Sequence, residues 1–121
     1  MADGTRINLA EKLATFSDEW QPRIVDTIDD YEVKVVKIDG DFVWHQHADA
    51  DELFIVLKGK LDMHFRDRVV SIGPGELIVV PRATEHKPCA EKCEMILLER
   101  RGVANTGDGP ENERTARPVR I

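Results

Sequence analysis

An all-β fold, an antiparallel sandwich or barrel preceded by one short helix, is what this sequence predicts on three observations. From Arg23 onward the chain breaks into short β-rich runs separated by Gly, Pro and acidic turns. No strand–helix–strand alternation appears, which argues against a parallel doubly wound sheet. The length, 121 residues, suits one domain and leaves no room for a second core.

Taken in order, the first element is a helix. Asn8 followed by Glu11 resembles a capping box, and Leu9, Leu13, Phe16 and Trp20 follow at helical spacing. Pro22 prevents continuation, so the helix is expected from Leu9 to Asp18. Strands are expected at Tyr31 to Ile38, Phe42 to His47, Leu53 to Leu57, Leu61 to Phe65, Val69 to Ile72, Leu77 to Val80 and Met95 to Glu99. Three of these, at 53–57, 77–80 and 95–98, are apolar along their whole length rather than alternating. Both of their faces should therefore be covered, the outer one by the N-terminal helix or a second subunit, which points to a homodimer. After Gly102 the chain turns polar, and residues 107–121 are expected to lack order unless a partner supplies it. The expected organisation is a helical extension over 1–22, a barrel over 23–102 and a polar tail over 103–121.

Composition narrows the function. Acidic residues outnumber basic ones by 23 to 17, for a net charge of −6, which argues against nucleic acid or an anionic membrane as partner. No apolar run approaches the roughly 20 residues of a membrane span. The N-terminal residues lack the basic-then-apolar pattern of a secretory signal, and two cysteines, Cys89 and Cys93, are too few for a disulfide scaffold. A cytoplasmic location with two free thiols is the expectation.

Histidine placement carries the chemistry. His45 and His47 sit two apart in an expected strand, where period-two geometry turns both imidazoles to one face. Glu52 follows across an acidic loop at the start of the next strand, and His86 lies in the loop after Pro81. A lone strand histidine is usually a surface or hydrogen-bonded residue; a pair joined by a nearby carboxylate and a third histidine makes a four-ligand set. Three neutral nitrogens and one hard oxygen suit one divalent transition metal, Fe, Mn, Ni, Co or Zn, with octahedral positions left for water or substrate.

Two segments resemble a known family. Gly40-Asp-Phe-Val-Trp-His45-Gln-His47, then Glu52 after four residues and Gly59 after six more, is similar to the first cupin motif. Gly75, five residues, Pro81, then Ala83 and His86 is similar to the second. The Gly40–His45 gap is one residue short, Ala83 stands where the motif has Gly, and Ala90 where Asn is often found; no ligand is lost. The resemblance covers about residues 23 to 99. It implies a small jelly-roll β-barrel with a metal in one mouth, held by His45, His47, Glu52 and His86. It is nearest to small single-domain cupins labelled as resembling mannose-6-phosphate isomerase, a label for a fold neighbourhood that does not fix the reaction.

The remaining assignments follow from parity and position. Val43 shares the histidine face and Phe54 and Val56 share that of Glu52, so all three should line an apolar pocket. Arg82 and Glu85 are rim candidates beside His86, and Asp49 and Asp51 add negative potential. Trp44, of opposite parity, should pack outside the barrel, and His64 should point to solvent with Asp62 and Arg66. The functional expectation is a metal-dependent enzyme, an oxygenase, isomerase or lyase, acting on a small organic molecule. The alternative is a non-catalytic cupin that captures a sugar, an organic acid or a metal ion. No separate catalytic acid or base stands out within the motifs.

Overall fold

The computed structural model describes residues 2–102, 105–107 and 116–121. Its elements are α1 (Leu9–Leu13), β1 (Arg23–Ile28), β2 (Tyr31–Asp41), β3 (Glu52–Phe65), β4 (Val69–Ile72), β5 (Leu77–Val80), β6 (His86–Arg100) and β7 (Val119–Arg120). They form one sheet in the order β4-β3-β6-β2-β1-β7, with β5 also paired to β3. All pairings are antiparallel except β1 with β7. The sheet rolls into a jelly-roll barrel around Val36, Ile38, Phe54, Val56, Leu61, Met63, Met95 and Leu97.

Two long strands build the roll. The first half of β3 pairs with β5 and the far half of β6; its second half pairs with β4 and the near half of β6. The expected strands at 53–57 and 61–65 are therefore one strand, bent at Gly59. Gly59 has φ +81°, and a Cβ there would collide with the carbonyls of Glu91 and Lys92. Opposite it the β3–β6 register shifts and Lys92 takes φ +42°, the signature of a β-bulge that bends both strands. Cys89 and Cys93 both lie within this continuous β6.

Three sequence expectations are corrected here. The helix stops at Leu13, with the Asn8 cap in place (Glu11 N donates to Asn8 Oδ1, 3.0 Å). Five residues gain little from helix propensity, whereas leaving the helix lets Trp20 reach the barrel. Trp20 is buried there, donates Nε1–H to the Asp39 carbonyl at 3.1 Å and stacks on Phe42 with ring centroids 4.9 Å apart. Residues 42–47 form no strand; His45 alone bridges β6, at His86. β1, not anticipated, pairs with β2 and lays Val25 beside Leu13 and Val35 on the outer face of β2.

The tail also departs from expectation where it is described. Val119–Arg120 adds a parallel strand to β1, Ile121 N donates to the Ile24 carbonyl, and Ala116 is buried. The remainder of that expectation falls on 108–115, outside the described residues.

The apolar outer faces are only partly covered. α1 shields Val35, but Leu77 (58% exposed), Val79 (50%) and Leu57 (37%) face outward uncovered. The register aligns Val79, Leu53 and Leu98 in one row across three strands and Leu77, Ile55 and Ile96 in the next. Among the described residues no helix is long and apolar enough to cross a membrane.

Candidate metal centre

Curling of the sheet assembles the site. Phe65 pairs with His86, and Glu52 opens the same strand thirteen positions earlier. In a straight strand those points would lie roughly 40 Å apart. In the barrel His86 Nε2 is 3.3 Å from Glu52 Oε1. His47 Nε2 is 3.4 Å from the same oxygen. His45 is set by its paired backbone bonds with His86, at 3.0 and 2.9 Å. His47 is set by its carbonyl, which accepts from Ala83 N at 2.7 Å. Ala83 has φ +57°, which explains the glycine usual at this position of the motif.

One donor atom from each of His45, His47, Glu52 and His86 lies within 4.8 Å of the others, and all four residues are buried. The Nδ1 atoms of His45 and His86 each lie 2.9 Å from a carbonyl, of Val43 and Thr84 respectively. Those acceptors place the ring proton on Nδ1 and leave Nε2 a lone pair. Among the described residues, His47 Nε2, His86 Nε2 and Glu52 Oε1 are buried without a hydrogen-bond partner. Buried polar atoms are seldom left so. A cation at their centre would satisfy them, so the donor set fits a divalent metal ion.

Electrostatics agree. Burial, with the charge of His86 adding to it, lowers His45 to about 4, so its imidazole is neutral at pH 7. Burial works against the Glu52 anion, yet the adjacent imidazoles of His47 and His86, 3.4 and 3.3 Å from its Oε1, outweigh it and hold the carboxyl well below the usual range. The site is thus preset with a neutral His45 nitrogen beside one anionic oxygen.

Sequence reasoning missed two charged residues of the interior. Glu99 is buried, with Oε2 3.8 Å from His47 Nε2 and Oε1 3.5 Å from Lys34 Nζ. Burial and the neighbouring Glu52 charge push its carboxyl well above the usual value. Lys34 is equally buried, and its Nζ also lies 3.6 Å from Glu32 Oε1. In the structure Lys34 shares the inward face of Val36 and Ile38, and Glu99 that of Met95 and Leu97.

Beside the four donors lies a cavity of about 40 Å³, room for roughly three water molecules. Its wall includes His45, Glu52, Phe42, Phe54, Leu97 and Glu99. Of the residues expected to line a pocket, Phe54 is in this wall. Val56 is fully buried in the core, and Val43 packs against it. Arg82 is exposed and tied to Asp51 through its backbone N (2.9 Å) and Nε (3.4 Å). Glu85 is paired outside with Arg66. Trp44 lies under the Arg66 guanidinium, 3.8 Å from the ring centroid. Asn105 closes another part of the cavity wall, and Gly107 (φ +68°) packs so tightly on the Gln46 carbonyl that a Cβ would not fit.

Comparison with known proteins agrees with this geometry. The profile of the cupin domain matches residues 32–98. A solved cupin-2 domain protein from Shewanella frigidimarina is 44% identical, with a TM-score of 0.77 over 78% of this chain and 94% of that one. Protein NMB1881 from Neisseria meningitidis is 33% identical, with a TM-score of 0.73 over 79% and 99%. YdbB of Bacillus subtilis, an uncharacterised protein, is 33% identical over 78 residues, 64% of this chain and 63% of its own length. The matched region contains both histidine motifs and every strand that carries a donor, and the chain belongs to the cupin family.

Proposed function

We propose that this cupin is a metal-dependent enzyme acting on a small organic molecule at His45, His47, Glu52 and His86. The observation that carries the reading is the convergence of four buried donor atoms within 4.8 Å from separate parts of the chain. A divalent metal bound there supplies Lewis acidity and open coordination positions. The chain's own residues do the rest. Val43 and Thr84 carbonyls fix two imidazoles in the ligating tautomer. Phe42, Phe54 and Leu97 keep bulk water from the donors, and the small cavity admits only the reacting end of a ligand.

The test is elemental analysis of untagged protein purified without chelator. The expected result is about one equivalent of a transition metal, absent from a His45→Ala/His86→Ala variant. No metal after reconstitution with Fe(II), Mn(II), Co(II), Ni(II) or Zn(II) sinks the reading.

The homodimer belongs to the same proposal. The uncovered rows on β5, β3 and β6 form a continuous apolar face, of the kind that marks an interface. Light scattering behind a sizing column should give twice the chain mass, and Leu77→Lys/Val79→Glu should give the monomer. A monomeric parent protein refutes this part. With Cys89 and Cys93 free, we read the setting as reducing and cytoplasmic.

A further inference from the structure

Glu99 has no role in the four-donor set, yet it faces the same cavity. Among the described residues both its oxygens are buried without a hydrogen-bond partner; the nearest described cation, Lys34 Nζ, stands 3.5 Å away, beyond good geometry. Phe42, Phe54, Leu97 and Met95 in the same wall are apolar. A buried carboxyl with free oxygens aimed into a cavity is a binding group for whatever enters. Lys34, buried behind it, fixes its place and offsets its charge.

We propose that Glu99, positioned by Lys34, is the specificity-determining residue of the cavity, accepting a hydrogen bond from a small ligand that carries a hydroxyl next to its metal-chelating oxygen. This rests on the metal reading above and names the ligand class for it: 2-hydroxy acids and similar hydroxylated chelators. Oε2 lies 3.8 Å from His47 Nε2, so a ligand held beside that donor would come within reach of Glu99. A carboxyl retains an acceptor oxygen whether or not it is protonated, so the role does not depend on its charge state. A site built to accept from a ligand hydroxyl discriminates against an analogue that lacks it, because the buried acceptor is then left unpaired.

Lactate and pyruvate test this, because they share heavy-atom count and chelating oxygens and differ at the hydroxyl. Their binding to the Co(II)-loaded protein is read from the shift of the cobalt d–d absorption. The expected result for Glu99→Leu is unchanged Co(II) content, lactate affinity reduced about tenfold or more, and pyruvate affinity within about threefold. Glu99→Gln, which keeps an acceptor oxygen, should lose less lactate affinity than Glu99→Leu. Should Glu99→Leu fail to fold, the Lys34→Met/Glu99→Leu variant removes both buried charges together and is expected to show the same change in ratio.

Equal weakening of both ligands, or loss of Co(II) from both Glu99 variants, overturns the proposal and leaves Glu99 a structural or ligating residue. A wild-type protein that holds Co(II) but binds neither acid overturns the ligand class alone. A wild-type protein that takes up none of Fe(II), Mn(II), Co(II), Ni(II) and Zn(II) overturns the metal reading itself, and this inference with it.

Discussion

Apo-protein titrated with Zn(II) or Co(II) at pH 7.5 should gain about 3 kcal/mol of stability at a hundredfold excess over Kd, a rise in Tm of roughly 10 °C. The gain comes from binding the folded chain alone, because only the barrel brings His86 and Glu52 within 3.3 Å. Without metal, acid should expose the cost of the same preset site. The unfolded His45 takes up a proton near pH 6.5, whereas the folded one does so only near 4. Between those values the unfolded state binds more protons, so this residue's contribution to stability falls as the pH falls and levels off below 4. The full difference is about 3 kcal/mol. Glu99 works the other way, since its raised value makes the folded state hold the extra proton as the pH rises above the ordinary carboxylate range. The measurement is therefore a comparison: urea unfolding of wild type and His45→Phe at pH 7.5 and pH 5. Wild type should lose stability relative to His45→Phe at the lower pH, and parallel profiles would contradict the assignment.

Gly59→Ala is expected to cost about 3 kcal/mol or more, far from any donor atom. The methyl group requires a positive φ and meets two backbone carbonyls, neither of which can swing aside like a side chain. Gly40 is the control. It has a similar φ, +88°, with no atom near its missing Cβ, so Gly40→Ala should cost only the conformational term of about 1 kcal/mol. Because the bend at Gly59 carries the two ends of β3 and β6 together, its substitution should also weaken Zn(II) binding, and Gly40→Ala should not. Thermal melts and a competitive zinc titration on both variants check this; equal effects would refute a hinge role for Gly59.

The four candidate donors and the barrel were legible because each depends on a short-range signal: a two-residue histidine spacing, a glycine at a bend, a proline before a loop. Trp20 was not. Its spacing from Leu13 and Phe16 matched a helix, and only the energy of filling the barrel mouth against Phe42 decides otherwise. β1 escaped notice because it needs β2 beside it to be a strand. Glu99 and Lys34 were hidden for a different reason. Each sits among apolar neighbours of both parities, Met95 to Leu98 and Val33 to Val36, so no alternation marks the inward face. The order in the tail was equally unreadable, since a two-residue strand gains its pairing from β1 and not from its own composition.

The place of β6 in the sheet has a consequence for synthesis. β6 lies between β2 and β3, which pair with it and not with each other. A ribosome-bound chain that has released His45, His47 and Glu52 therefore has two strands with no common neighbour, and neither can close the roll. The third histidine opens the missing strand. Metal capture by the nascent chain must then wait until about residue 100 has emerged, and long-range closure of this kind is slow. Completion of the ligand set and completion of the barrel are one event, so a half-made chain offers no finished chelator to the wrong ion.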